Sequence, residues 1–169
     1  MRLNSIRKNI VIGLLILCAS FGLLGFKAYF SPNGHIKDRI VDEIGNTKSS
    51  IDIAVFNITS YGIKTALSKA LKRGVQIRFI TDQGQSENMR SMVGSLLQDG
   101  VKMKLVKGKG KNGLMHNKFA IFDGRLLLTG SYNWTETAEY YNYENALFLD
   151  NKSLVEEYQK EFELLWTLP

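Results

Sequence analysis

The chain has 169 residues, 44% of them hydrophobic and 11% aromatic, enough for one domain with a real core plus an appendage. Its formal net charge is +6, but Arg2, Arg7, Lys8 and Lys27 stand among the first 27 residues without an acid, which leaves the remainder near neutral at 18 basic against 16 acidic residues. One cysteine, Cys18, and two histidines, His35 and His116, exclude a disulfide framework and a zinc cluster; with no D-x-D or H-x-x-E-type cluster of the kind a two-metal nuclease uses, the expectation is no metal and no cofactor.

Residues 1–9 are short and basic, and Ile10 to Phe26 then runs without a charge up to Lys27. This is a signal-peptide core or a short transmembrane helix. The cleavage site around Cys18-Ala19-Ser20 is poor, which favours a retained anchor. Arg2, Arg7 and Lys8 would keep its N-terminus in the cytoplasm, so residues 1–30 are expected to tether a domain of residues 31–169 outside the cytoplasm. Ser31-Pro32-Asn33-Gly34 reads as a linker or turn. Ile36, Ile40, Val41 and Ile44 recur at helical spacing from His35 to Ile44, with His35 a surface residue. Ser50 to Asn57 alternates and is apolar enough for a central strand, with Asp52 structural. Tyr61 to Lys72 is an amphipathic helix turned inward through Ile63, Ala66, Leu67 and Leu71, and Arg73-Gly74 ends it. Val75 to Thr81 is a strand, Asp82 opens a polar loop, and Glu87 to Leu97 is a third helix ended by Asp99-Gly100. Val101 to Val106 reads as a strand with Val101, Met103 and Leu105 inward and Lys102 and Lys104 wet. A glycine-rich loop with Lys107, Lys109 and Lys111 follows, free of acids up to Phe122, suited as a polyanion-binding rim. Asn145 to Leu149 is a strand, and Leu154 to Trp166 a last helix with Leu154, Tyr158, Phe162, Leu165 and Trp166 inward. Strands alternating with helices imply an α/β domain, a mixed sheet with helices on both faces.

The chemistry concentrates between His116 and Asn133. His116, Lys118, Ala120 and Phe122 fall on one face of a strand. Asp123-Gly124 signals a tight turn into a second strand, Leu126 to Thr129. Gly130-Ser131 breaks that strand, and Asn133 can cap a short helix with Glu136 as its capping-box partner. An imidazole, an ammonium, a hydroxyl, an amide and turn N–H groups in one place suit a phosphodiester: a nucleophile, a fixed charge and neutral donors for phosphoryl oxygens.

The spacing H-x-K-x4-D-x6-G-S-x-x-N, carried by His116, Lys118, Asp123, Gly130, Ser131 and Asn133, resembles the HKD signature of the phospholipase D superfamily. Asn142-Tyr143-Glu144-Asn145-Ala146 resembles its continuation in the small bacterial Nuc-type endonucleases. The resemblance implies a phospholipase D/Nuc-like sheet fold and a metal-independent phosphodiesterase. His116 would be the nucleophile, forming a phosphohistidine, with Lys118 and Asn133 on the non-bridging oxygens. Gly130 and Ser131 would assist, and Glu144 would orient a histidine. Asp123, on the other strand face, is expected to be structural. With one motif copy, the resemblance implies a homodimer that brings two copies of His116 together. DNA, with single-stranded DNA or RNA beside it, is the expected substrate. Two alternatives stand beside it: a phospholipase D or cardiolipin hydrolase on membrane phospholipid, favoured by the anchor, and a silent nucleic-acid-binding or tethering module.

Overall fold

The computed structural model describes residues 26–169. The expected membrane segment lies outside the described residues, except for its last residue, Phe26. Among the described residues no helix is long and apolar enough to cross a membrane.

Seven strands form one mixed sheet: β1 (Phe26–Ser31), β2 (Ser50–Val55), β3 (Gln76–Asp82), β4 (Lys102–Val106), β5 (Lys118–Phe122), β6 (Leu126–Gly130) and β7 (Glu144–Leu149), in the order β1-β7-β6-β5-β2-β3-β4. β2, β3 and β4 run parallel. β5 is antiparallel to β2, and β6, β7 and β1 continue antiparallel. β2 lies at the centre, and its residues Ile51 to Val55 are all buried, as a strand covered on both faces requires.

Helices α1 (Ile36–Asn46), α2 (Tyr61–Lys72) and α4 (Val93–Gln98) cover one face. They insert Ile36, Ile40 and Ile44, then Ile63, Leu67 and Ala70, then Val93 and Leu96, against Ile51, Ile53, Phe79, Ala120 and Leu128. The long α6 (Lys152–Thr167) covers the other face. It packs Val155 and Phe162, with Tyr158, Leu165 and Trp166, on Ala54, Ile80, Phe119, Ile121 and Leu127. Two short helices complete the chain, α3 (Gln83–Ser86) and α5 (Glu136–Tyr140). Gly74, at φ +91°, ends α2 where Arg73-Gly74 was read as its stop.

Several expectations are corrected. Phe26 to Ser31 is an edge strand paired with β7, so the sheet begins four residues before the expected boundary at residue 30. The helix read over Glu87 to Leu97 is broken: α3 and α4 flank a turn, and the Met92 N–H leaves helical pairing to donate to the Ile58 carbonyl (3.0 Å). In β4, Leu105 is exposed and Val106 buried. Lys104 is instead half-buried and donates to the Trp166 carbonyl (2.7 Å). On α6 the inward residue is Val155, not the exposed Leu154.

Candidate active site

The topology gathers the chemistry at one end of the sheet. β2 ends beside the start of β5, with Val55 opposite Lys118. β6 ends beside the start of β7, with Gly130 opposite Ala146. His116, Lys118, Gly130, Ser131, Asn133 and Glu144 together line one open depression of about 390 Å³. The sequence places these six residues over 29 positions; antiparallel pairing brings them to one wall.

His116 precedes β5 and is exposed, its ring tilted on Phe56 with centroids 4.7 Å apart. Lys118 Nζ donates to the His116 carbonyl oxygen (2.7 Å) and lies 5.0 Å from the Phe56 ring centre. Burial lowers the Lys118 pKa below the ordinary lysine range, and the Glu144 charge works against that fall. Gly130 has φ +156°, and a Cβ there would stand 2.2 Å from the Asn145 carbonyl oxygen. The close approach of the two strands therefore requires glycine. It also lets the Ser131 N–H reach the Asn145 carbonyl (3.1 Å).

Ser131 Oγ donates to Glu144 Oε2 (2.5 Å), and Asn142 Nδ2 donates to Glu144 Oε1 (3.0 Å). Among the described residues, the carboxylate expected to orient an imidazole is thus held by Ser131 and Asn142 within the protomer, with no bond to His116. Asn133 does not cap α5. Thr135 does, accepting from the Ala138 N–H (3.1 Å), and Glu136 turns to Ser60 and Lys37. Asn133 is placed instead by its neighbour Trp134, which is buried edge-on against Phe79 and whose N–H donates to the Asn57 carbonyl (3.1 Å). Among the described residues, the Oδ1 atoms of Asn133 and Asn57 are buried without a partner, and that of Asn133 belongs to a residue lining the depression.

Asp123 lies at the other end of β5, about 16 Å away by strand rise. Its carboxylate accepts from the N–H groups of Lys48, Ser49 and Ser50 and from Ser49 Oγ. Burial pushes its pKa up, but these four donors outweigh it and hold the group at about 2. The lysine loop is a hairpin closed by the Lys107–Leu114 bridge and a Gly108 N–H to Gly113 carbonyl bond (3.2 Å). Lys107 and Lys109 line a second hollow of about 530 Å³ with Leu114, Met115, His116, Glu161, Leu164, Leu165 and Leu168. Lys111 is exposed nearer the tip and lines neither hollow.

Two supporting residues escaped the sequence reading. Asp82, buried, accepts from the Met115 N–H (3.0 Å) just before His116 and from Gly84 and Gln85. Phe56 lies under the histidine–lysine pair. An aspartate at a strand end was visible as a loop opener, but its long-range partner was not. Phe56 gave no signal beyond apolarity.

Residues 40–166 match the family model described as "Cardiolipin synthase, PLD-like domain". The chain is 36% identical to the mitochondrial cardiolipin hydrolase of Chlamydomonas reinhardtii over 77% of its own length and 57% of that protein's. It is 38% identical to the Xenopus laevis counterpart, over 76% and 60% respectively. The chain thus spans less than two thirds of these curated relatives. Among solved structures, Nuc from Salmonella typhimurium superposes with a TM-score of 0.77 at 26% identity, covering 84% of this chain and 93% of that one. NucT from Helicobacter pylori gives 0.76 at the same identity, covering 84% and 96%. The match over most of the chain, on a sheet whose end gathers His116, Lys118 and Asn133, makes this protein a member of the phospholipase D superfamily.

Proposed function

We propose that the protein is a metal-independent phosphodiesterase, an endonuclease that hydrolyses DNA, including single-stranded DNA, and RNA, and that it works as a homodimer. The observation that carries this is the open depression lined by His116, Lys118, Ser131 and Asn133. It offers a nucleophile, a fixed cation and neutral donors around a space fit for a phosphoryl group. The exposed Lys107, Lys109 and Lys111 beside it suit a long polyanion.

In this mechanism neutral His116 attacks phosphorus, a P–N bond forms and the P–O bond to the leaving group breaks. The leaving oxygen takes a proton from His116 of the partner subunit. That histidine, now neutral, takes a proton from water as the water oxygen bonds to phosphorus and the P–N bond breaks. The products are a phosphomonoester and an alcohol, and both histidines return to their starting states. Lys118 and Asn133 hold the non-bridging oxygens. The charge-free segment before Phe26 anchors the enzyme in the membrane, with the catalytic domain on the outer side.

A second reading, hydrolysis of cardiolipin-type phospholipid, is favoured by one observation. The hollow that shares His116 is lined by Leu114, Met115, Leu164, Leu165 and Leu168, a surface that acyl chains would cover. The relatives named cardiolipin hydrolases support it about as well as the Nuc structures support the first.

The test is to incubate the full chain, in detergent and with EDTA, with single-stranded DNA, plasmid, RNA and cardiolipin vesicles. We expect nucleic acid cleavage to persist. His116→Ala and Lys118→Ala should each lower turnover by roughly 10⁴-fold or more with the fold intact. Near-normal activity of His116→Ala would sink the assignment, and cleavage of vesicles alone would move it to the second reading.

A further inference from the structure

Phe56 is the first residue after β2, and its position is fixed from several sides. Its N–H donates to the Asn117 carbonyl (2.9 Å), between His116 and Lys118. Its carbonyl accepts from Thr81 Oγ1 (3.0 Å) on β3. Val55, just before it, pairs with Lys118. The ring thereby meets both functional side chains at once, the imidazole at 4.7 Å between centroids and the ammonium 5.0 Å from its centre, while it lines neither hollow.

We propose that Phe56 is a positioning residue for the phosphodiesterase reaction: its ring holds the His116 imidazole and the Lys118 ammonium in a single arrangement, and its π surface favours their cationic forms. This rests on the function proposed above. In the mechanism, one histidine must be imidazolium when the other attacks, and the lysine must stay charged. An aromatic quadrupole attracts a nearby cation by about 0.5–2 kcal/mol and adds no titrating group of its own. The other charged groups that share a hollow with His116 are Lys118 from β5, Glu144 from β7, Glu161 from α6, and Lys107 and Lys109 from the hairpin. Among them the cations oppose an imidazolium. Glu144 is held by Ser131 and Asn142, while the neutral ring is seated against both the imidazole and the ammonium.

The test compares Phe56→Leu, Phe56→Tyr and a pentafluorophenylalanine at position 56, which keeps the shape and reverses the quadrupole. All are made in the full chain in detergent. Turnover of bis-p-nitrophenyl phosphate is followed from pH 5 to 9, and the two histidine ring signals are followed by NMR over the same range. Phe56→Leu and the fluorinated ring are expected to lower kcat by roughly 3- to 30-fold with KM within about twofold. The His116 ring signal should move from its position in the parent, with the His35 signal unmoved, while Phe56→Tyr stays within about threefold of the parent. The proposal is overturned if the fluorinated ring leaves kcat and the His116 signal unchanged, or if Phe56→Tyr loses as much as Phe56→Leu. If the parent protein cleaves no phosphodiester, the proposed function fails, and the NMR titration, which needs no substrate, still decides the role of Phe56.

Discussion

Asp123 belongs to the signature, yet its carboxylate is bonded at the far end of β5 and does not line the depression. It sits at φ 51°, followed by Gly124 at φ 62°, the paired positive values of a tight hairpin turn. Its carboxylate gathers the free N–H groups where α1 hands over to β2. The group is depressed to about 2 from its ordinary 3.8, so it stabilises the fold fully above about pH 4, and that contribution is lost as pH falls towards 2. Asp123→Asn is expected to cost about 1–2 kcal/mol at pH 7, after allowance for partial exposure, and nearly nothing at pH 2. Thermal melts of the two proteins at both values would check it; an equal gap at both would contradict the linkage. Activity at pH 7 should survive in the folded fraction. That His116, Lys118, Ser131 and Asn133 come together was legible because a fixed spacing carried them. Phe56 was not, since its role exists only once β2 and β5 are in register. Asn133 was misread as a cap because Asn and Thr both cap well, and only the burial of Trp134 decides that Thr135 does it.

The elements that sequence pattern resolved best are those with strong periodicity and a hard stop. α2 falls at the expected Tyr61 to Lys72, and the β5–β6 hairpin turns at Asp123-Gly124. The pattern failed where tertiary bonds took over: Met92 is drawn to Ile58, and β1 is short, exposed on four of its six residues and defined by its partner strand. α6 owes its place to more than its apolar face. Arg78 on β3 makes two bonds to Asp52 on β2 (2.7 and 2.6 Å) and reaches Glu163 on α6 (2.6 Å). Gln159 adds a bond to Asp52 (2.7 Å). The guanidinium also lies over the rings of Phe162 and Trp166, and the paired carboxylates, Asp52 first, raise its affinity for its proton. Arg78→Gln should therefore leave Asp52 short of a charged partner and cost about 2–4 kcal/mol. Faster amide exchange confined to α6 would be the signature, and unchanged exchange there would show the network to be idle.

At the scale of the whole molecule, the depression holds one imidazole and opens to solvent, whereas the proposed reaction consumes two. A composite site makes a clear kinetic prediction. If wild-type and His116→Ala chains are refolded together in equal amounts, random pairing leaves about a quarter of the dimers with both histidines. Activity per total protein should then fall to about a quarter of the wild-type value, not a half, and a half would mean that each subunit works alone. The mixed sheet with helices on both faces was foreseeable from alternating strand and helix patterns. The strand order was not, because order is set by which edges pair, a property no single segment carries.

The edge strand β1 has one further consequence. Its last residue, Ser31, pairs with Glu144 at the reactive rim, while its first, Phe26, pairs with Leu149 at the far end. A leash that enters the sheet at Phe26 is therefore fastened one strand length, about 17 Å, from the rim where Ser31 meets Glu144. Under the proposed anchor, a bilayer holding the segment before Phe26 would grip the protein by its heel and keep its working end off the lipid, towards polymers arriving from the surrounding fluid.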